Sequence, residues 1–232
     1  MKTIGLLGGM SWESSLEYYR IINETVKKRL GSLHSARCLM YSVDFAEIEA
    51  LQHAGDWDEL TRQMIAAVQH LEQGGADFTV ICTNTMHRMA GEIEAATALP
   101  LLHIADAAAT AIKAAGLTKV GLLGTRFTME GAFYRDRLEG EHGLQVVIPG
   151  ENDREKVHRI IYDELIQGQI RENSRVVYQD VIAALQDQGA QGVILGCTEI
   201  PLLIKASDVD IPVFDTTRIH AEAAVDWALN AE

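Results

Sequence analysis

Apolar residues along this 232-residue chain follow two rhythms. Short, nearly unbroken apolar runs come first: TIGLLGG (3–9), ARCLMYSV (36–43), FTVICT (78–83) and PLLHI (100–104). The same kind of run returns as KVGLLGT (119–125), LQVVIP (144–149), GVILGC (192–197) and IPVFD (211–215). Runs of this length, bounded by Gly, Pro or polar residues and lacking apolar–polar alternation, are the mark of strands buried on both faces. Between them, residues 13–30, 58–73, 155–166 and 174–188 place apolar side chains at helical spacing. Buried strands alternating with amphipathic helices predict an α/β fold built on mostly parallel sheets.

The pattern also repeats itself. GLLG stands at 5–8 and again at 121–124, and Tyr18 and Tyr134 share that offset of 116 residues. GADFTVICTNTMH (75–87) aligns with GAQGVILGCTEI (189–200), so that Gly75 meets Gly189, Ala76 meets Ala190 and Thr83 meets Cys197. Pro100 and Pro212 continue the series. Landmarks in one order, about half a chain apart, predict two pseudo-symmetric α/β domains. We place the first over residues 1–98 plus 210–232 and the second over 99–209. Ligands in open α/β sheets bind beyond the carboxyl ends of strands, which is where Gly8-Gly9, Thr83, Thr125 and Cys197 fall. A pseudo-twofold relation would bring these ends to one cleft between the domains, with Thr83 and Cys197 on opposite sides.

Composition narrows the function more than the fold. A net charge of −13 with no basic stripe argues against nucleic acid as a partner. The opening MKTIGLLGGMSW has too short an apolar run for a signal peptide, and no other stretch approaches a membrane span. Three cysteines, Cys38, Cys82 and Cys197, have neither metal-site spacing nor the even count of a disulfide framework, so a reduced cytoplasm is expected. No H-E-x-x-H or paired-cysteine motif suggests zinc, no lysine context suggests a pyridoxal Schiff base, and GLLGGMS lacks the G-x-G-x-x-G spacing of a dinucleotide loop. Neither metal nor cofactor is expected.

Three corners carry candidate chemistry. Cys197 sits between Gly196 and Thr198-Glu199 at a strand-to-helix turn, where a helix N-terminus favours a thiolate, although a buried inert cysteine has the same local sequence. Asn84 and Thr85 follow Thr83 at the matching corner and suit either a carboxylate or a helix cap. The glycine turn before Met10-Ser11 lets backbone approach a small ligand, and Thr125 stands at its symmetric counterpart. His87 and His103 read as hydrogen-bonded structural residues rather than catalysts. Cys82 points away from the face Thr83 uses, because neighbours on a strand alternate.

These motifs resemble the aspartate/glutamate racemase family of cofactor-independent amino-acid racemases, and within it the aspartate racemase branch. GLLGGMS, CTNTMH, GLLGT and GCTE carry the resemblance over essentially the whole length. It implies two Rossmann-like domains with the active site in the cleft between them, a homodimer, a small amino-acid substrate, and no membrane or nucleic-acid partner. It also implies two cysteines on opposite faces of the substrate α-carbon, one removing the α-proton and the other returning one. Carried over, Cys197 is the base for the L-enantiomer, and the D-side position is Thr83. A threonine hydroxyl is a far weaker acid than a thiol of pKa ~8.5, so it can relay a proton but cannot replace a thiolate. The turns at Met10-Ser11, Asn84-Thr85, Thr125 and Thr198-Glu199 would hold the substrate, with Gln52 and Lys205 as candidate side-chain contacts. Where family members place an Arg and a Lys for the substrate side chain, this chain has Phe45 and Ile166. Beside the resemblance, three readings remain open: a racemase of L-aspartate and L-glutamate, a racemase of neutral or polar amino acids, and a binding or sensor protein without turnover. A single-thiol decarboxylase relative is a fourth, which the racemase-like CTNTMH motif disfavours.

Overall fold

The computed structural model describes residues 1–31 and 33–230, and the chain divides into two compact units. Unit 1 takes Met1–His103 together with the segment from His220 onward, and unit 2 is the single run Ile104–Ile219.

Unit 1 begins with β1 (Ile4–Gly8), α1 (Trp12–Leu30) and β2 (Cys38–Ser42). Two helices follow, α2 (Phe45–Ala54) and α3 (Trp57–Gln73), and then β3 (Phe78–Ile81). A 3₁₀ turn at Thr85–Met89 leads into α4 (Ala90–Ala96). The strands are all parallel, in the order β2-β1-β3. Alternation along the strands loads both faces of this sheet. Ile4, Leu6, Phe78 and Val80 pack with Tyr18, Ile21 and Ile22 of α1, while Leu7 and Ile81 pack with Met64, Val68 and Leu71 of α3.

Unit 2 opens with α5 (Ile104–Ala114) and β4 (Lys119–Gly124). The short helices α6 (Arg126–Glu130) and α7 (Ala132–Asp136) precede β5 (Gln145–Val147) and α8 (Glu151–Ile160). Then come α9 (Glu172–Asp187), β6 (Val193–Gly196), α10 (Ile200–Leu203) and β7 (Val213–Asp215). The last helix, α11 (Thr216–Leu229), starts in unit 2 and supplies its later turns to unit 1. The sheet is parallel, in the order β5-β4-β6-β7.

The internal repeat is visible in individual contacts. β1 and β4 are each flanked by the strand that follows and by the counterpart of FTVI, which is β3 in one unit and β6 in the other. Gly5 leaves room for Leu71 just as Gly121 leaves room for Leu185. Thr79 N–H donates to Pro100 O at 2.8 Å, and Val193 N–H donates to Pro212 O at 2.8 Å.

The two units differ after that last bond. IPVFD becomes β7, whereas PLLHI makes one isolated bridge, Thr79 to Leu101, before the chain turns into α5 at Ile104. Residues 100–104 therefore do not form the expected strand, because helix formation takes over three residues after the bridge. β7 pairs with β6, so residues 210–219 lie with unit 2 and not with the first domain as expected. The helix expected over 155–166 is α8 followed by a wider turn at Ile161–Leu165, in which Ile166 N–H reaches back five residues to Ile161 O at 3.0 Å. Among the described residues, no helix is long and apolar enough to cross a membrane.

Candidate active site

In unit 1 the candidate residues gather where β1 and β3 end. Gly9 has φ of +92°, and a Cβ there would lie 2.2 Å from Val43 O, so this turn accepts only glycine. The turn delivers Met10 and Ser11 to the start of α1, where Ser11 Oγ accepts from Ser14 N–H at 3.3 Å as the N-cap. Ser15 Oγ accepts from Gly9 N–H at 2.7 Å, and Ser14 Oγ donates to Cys82 O at 2.9 Å. The second bond ties the first turn of α1 to the residue just before Thr83. Thr83 is half-buried, Asn84 and Thr85 are buried, and Gln52 of α2 is buried as well. Cys82 is fully buried among the α1 and α11 side chains, and burial pushes its thiol far above the ordinary range. It is a packing residue.

Behind Thr83 lies a group of imidazoles. His87 Nδ1 donates to Thr83 O at 2.8 Å. His220 Nε2 donates to Leu102 O at 2.8 Å, so its Nδ1 accepts from Tyr18 Oη at 2.8 Å. The His87 ring lies 4.6 Å from that of His103 and 5.6 Å from that of His220, centroid to centroid. Burial first, and then these two neighbours, hold His87 well below the usual imidazole range. His87 thus has the hydrogen-bonded setting expected of it, and His103 is buried beside it. His220 and Tyr18 carried no such signal, because they stand 202 residues apart in the chain.

In unit 2 the corresponding ends are those of β4 and β6. Gly124 and Gly196 let these ends approach, since a Cβ on Gly196 would sit 2.7 Å from Leu123 O. Thr125 is buried at the start of α6, with its Oγ1 3.4 Å from Thr128 Oγ1. Cys197 is half-buried, and its thiol donates to Glu199 Oε2 at 2.9 Å. Thr198 Oγ1 donates to the same oxygen at 2.7 Å, and Glu199 is itself buried.

The thiol is held well above its ordinary pKa, first by burial, then by the Glu199 charge and the hydrogen bond to it. The backbone N–H groups of Glu199 and Thr198 pull the other way. The pull toward a thiolate expected of a helix start is outweighed here by burial and the Glu199 charge. The helix after Cys197, Ile200–Leu203, has only four residues, and the sulfur is hydrogen-bonded to a carboxylate. The thiol is aimed at an acceptor. Glu199, expected only as a substrate contact, is the thiol's partner. Its spacing of two residues from Cys197 is the one sequence signal for this. Lys205 is exposed, its backbone N–H on Asp208 Oδ2 at 2.7 Å and its ammonium on Pro201 O. Among the described residues, no cluster of three or more His, Cys, Asp or Glu side chains is arranged to hold a metal ion.

Parallel strands that end in polar turns, with a thiol hydrogen-bonded to a buried carboxylate at one of them, are a layout common to α/β enzymes. The chain belongs to the Asp/Glu/Hydantoin racemase family, whose model matches residues 7–224. It is therefore a racemase, an isomerase. It is similar to the broad specificity amino-acid racemase RacX of Bacillus subtilis (strain 168), with 25% identity over 97% of this chain and 98% of that one. Among solved structures it is similar to a candidate Asp/Glu racemase from Yersinia pestis (57% identity, TM-score 0.93, covering 99% of this chain and 100% of that one). An aspartate racemase homologue from Pyrococcus horikoshii OT3 is also similar, at 35% identity and TM-score 0.86, over 98% of this chain and 99% of the other.

Proposed function

We propose that the protein is a cytoplasmic, pyridoxal-independent amino-acid racemase that removes the α-proton of L-aspartate or L-glutamate with Cys197 and receives the new proton from the Thr83 side. The observation that carries this reading is the 2.9 Å bond from the Cys197 thiol to Glu199. The thiol passes its proton to the Glu199 carboxylate, leaving a thiolate held by the N–H groups of Thr198 and Glu199. That thiolate takes the α-proton and is again a thiol. The electron pair left on the α-carbon delocalises into the substrate carboxylate. A proton then reaches the opposite face through the Thr83 hydroxyl, which replaces it from water, and Glu199 gives up its proton to the hydroxide so formed, so that each turnover restores both groups. Met10, Ser11, Asn84, Thr85, Thr125 and Thr198 hold the substrate, and His87 fixes the carbonyl of Thr83. The active molecule is a homodimer.

A second reading, a racemase of neutral and polar amino acids, is favoured by Phe45 and Ile166 standing where a cation would meet an acidic side chain. The name of the Bacillus subtilis relative points the same way.

Proton NMR in D₂O tests the mechanism, using L- and D-amino acids with wild type, Cys197→Ala and Thr83→Ala. Wild type should exchange the α-hydrogen of its L-substrate faster than it inverts it, because removal and return are served by unequal groups. Cys197→Ala should abolish exchange. Equal early rates of exchange and inversion in the wild type would overturn the unequal roles, and exchange by no amino acid would overturn the racemase reading.

A further inference from the structure

Thr83 is backed by a polar chain that runs across unit 1 from α1 to α11. Tyr18 of α1 is fully buried, and its Oη donates to Nδ1 of His220 on α11 at 2.8 Å. His220 is also fully buried and donates from Nε2 to Leu102 O at 2.8 Å, so hydrogen bonds at both nitrogens fix its ring. The His87 ring stands edge-on to it, 5.6 Å away at 64°, and meets the His103 ring at 4.6 Å and 62°. His87 in turn donates to Thr83 O at 2.8 Å. All of these residues belong to unit 1.

Burying three imidazoles and a phenol costs desolvation that an apolar cluster avoids, and a hydrogen-bonded network of this kind gives fixed orientation in return. The internal repeat shows that packing alone does not demand it. At the offset of 116 residues, Tyr18 corresponds to Tyr134, which is equally buried on α7. At the offset between Pro100 and Pro212, His220 corresponds to Ala108 of α5, which packs in the same apolar cluster as Tyr134. Tyr134 Oη has no hydrogen-bond partner among the described residues. At the offset that aligns Thr83 with Cys197, His87 corresponds to Pro201. Unit 2 therefore packs its equivalent tyrosine without either imidazole. The polar chain is built at the corner that carries a hydroxyl and not at the corner that carries the thiol.

We infer that Tyr18 and His220 are positioning residues for the return of the proton: they orient the His87 ring and, through its bond to Thr83 O, hold the Thr83 hydroxyl in the geometry that return requires. This deepens the racemase reading proposed above and rests on it. A hydroxyl is a far weaker acid than a thiol, so what it delivers depends the more on its placement. Cys197 takes its own geometry from Glu199 within unit 2. Loosening the chain behind Thr83 should therefore slow the return of a proton and spare its removal.

The ratio of α-hydrogen lost to opposite enantiomer formed, followed at early times from L-aspartate and L-glutamate in D₂O, tests the inference. That ratio is the partition of one carbanion between its two faces, so neither weaker substrate binding nor a smaller folded fraction moves it. Tyr18→Phe, which removes a single oxygen, should keep α-hydrogen loss close to wild type and raise the ratio about tenfold, part of the ~100-fold that a misplacement of ~1 Å can cost. His220→Leu should raise the ratio at least as far. His220→Gln, whose amide keeps a donor for Leu102 O, should fall between His220→Leu and wild type. Added to Thr83→Ala, Tyr18→Phe should change the ratio no further, because the chain acts through that hydroxyl. A ratio that stays at the wild-type value in Tyr18→Phe and His220→Leu, with both rates falling together, marks a purely structural role and overturns the inference. So does a further rise when Tyr18→Phe is added to Thr83→Ala. A wild type that exchanges neither amino acid overturns the reading of L-aspartate or L-glutamate as substrate and this inference with it, whereas an unchanged ratio in active variants overturns this inference alone.

Discussion

The contact between Cys197 and Glu199 sets two observables against each other. The Glu199 charge and its hydrogen bond raise the thiol's pKa, so replacing the carboxylate by an amide moves that pKa down. Glu199→Gln should therefore react faster with iodoacetamide at pH 8 than wild type, with its midpoint shifted to lower pH. If Glu199 is the acceptor of the thiol proton, the same variant should exchange substrate α-hydrogen more slowly, by the ~100-fold or more typical of lost acid–base catalysis. A variant faster in both assays would show that Glu199 acts on Cys197 only through its charge. At this scale the sequence was informative for a physical reason. The internal repeat gives every residue of one corner a counterpart in the other, so the mismatch of Thr83 with Cys197 can be read from the chain alone. The direction of the thiol's titration could not be read that way. It depends on burial and on where the Glu199 carboxylate points, and neither is a local property of GCTE.

Among the elements, those with strong apolar contrast were legible and those built from small residues were not. The strand β1 and the helices α1, α3 and α9 fall within a few residues of their expected places. α5 buries mostly alanines, among them Ala105, Ala108 and Ala109, and α11 buries Ala221, Ala224 and Ala228 beside Thr216, Thr217, His220 and Val225. Such helices show little periodic contrast, and their packing is visible only once the sheets are assembled. PLLHI and IPVFD look alike as apolar runs. They differ because α5 begins at Ile104, directly after one, while β7 completes a ladder with β6 before α11 begins. The turn from β1 into α1 is the element on which the first corner depends. Gly9→Ala would force a Cβ into φ +92° and against Val43 O, a cost of at least ~1–3 kcal/mol. We expect a lower urea midpoint and weaker substrate binding together, because the same turn places Met10 and Ser11. An unchanged midpoint would mean that the loop relaxes freely.

For the whole molecule, the repeat predicted two α/β units, but not the way the chain is threaded through them. Unit 2 is one continuous run, while unit 1 draws on both ends of the described chain. Lys2 N–H donates to Ala228 O at 2.9 Å, and the Phe78 and Trp227 rings stack with centroids 4.8 Å apart. Ala221, Ala224, Val225 and Ala228 complete the core layer that holds Ile4, Leu6 and Tyr18. A charge placed there, as in Ala224→Asp, should lower hydrogen-exchange protection across unit 1 while the amides of β4 and β6 keep theirs. Equal loss in both units would show that they unfold as one. On the ribosome the same threading imposes an order of events. Residues 1–103 emerge first, yet the apolar layer beneath β1 and β3 lacks its last wall until residues past 219 have been made. All of unit 2 is synthesised in the interval. At ~5–20 residues per second, the nascent first segment spends several seconds or more with that surface uncovered.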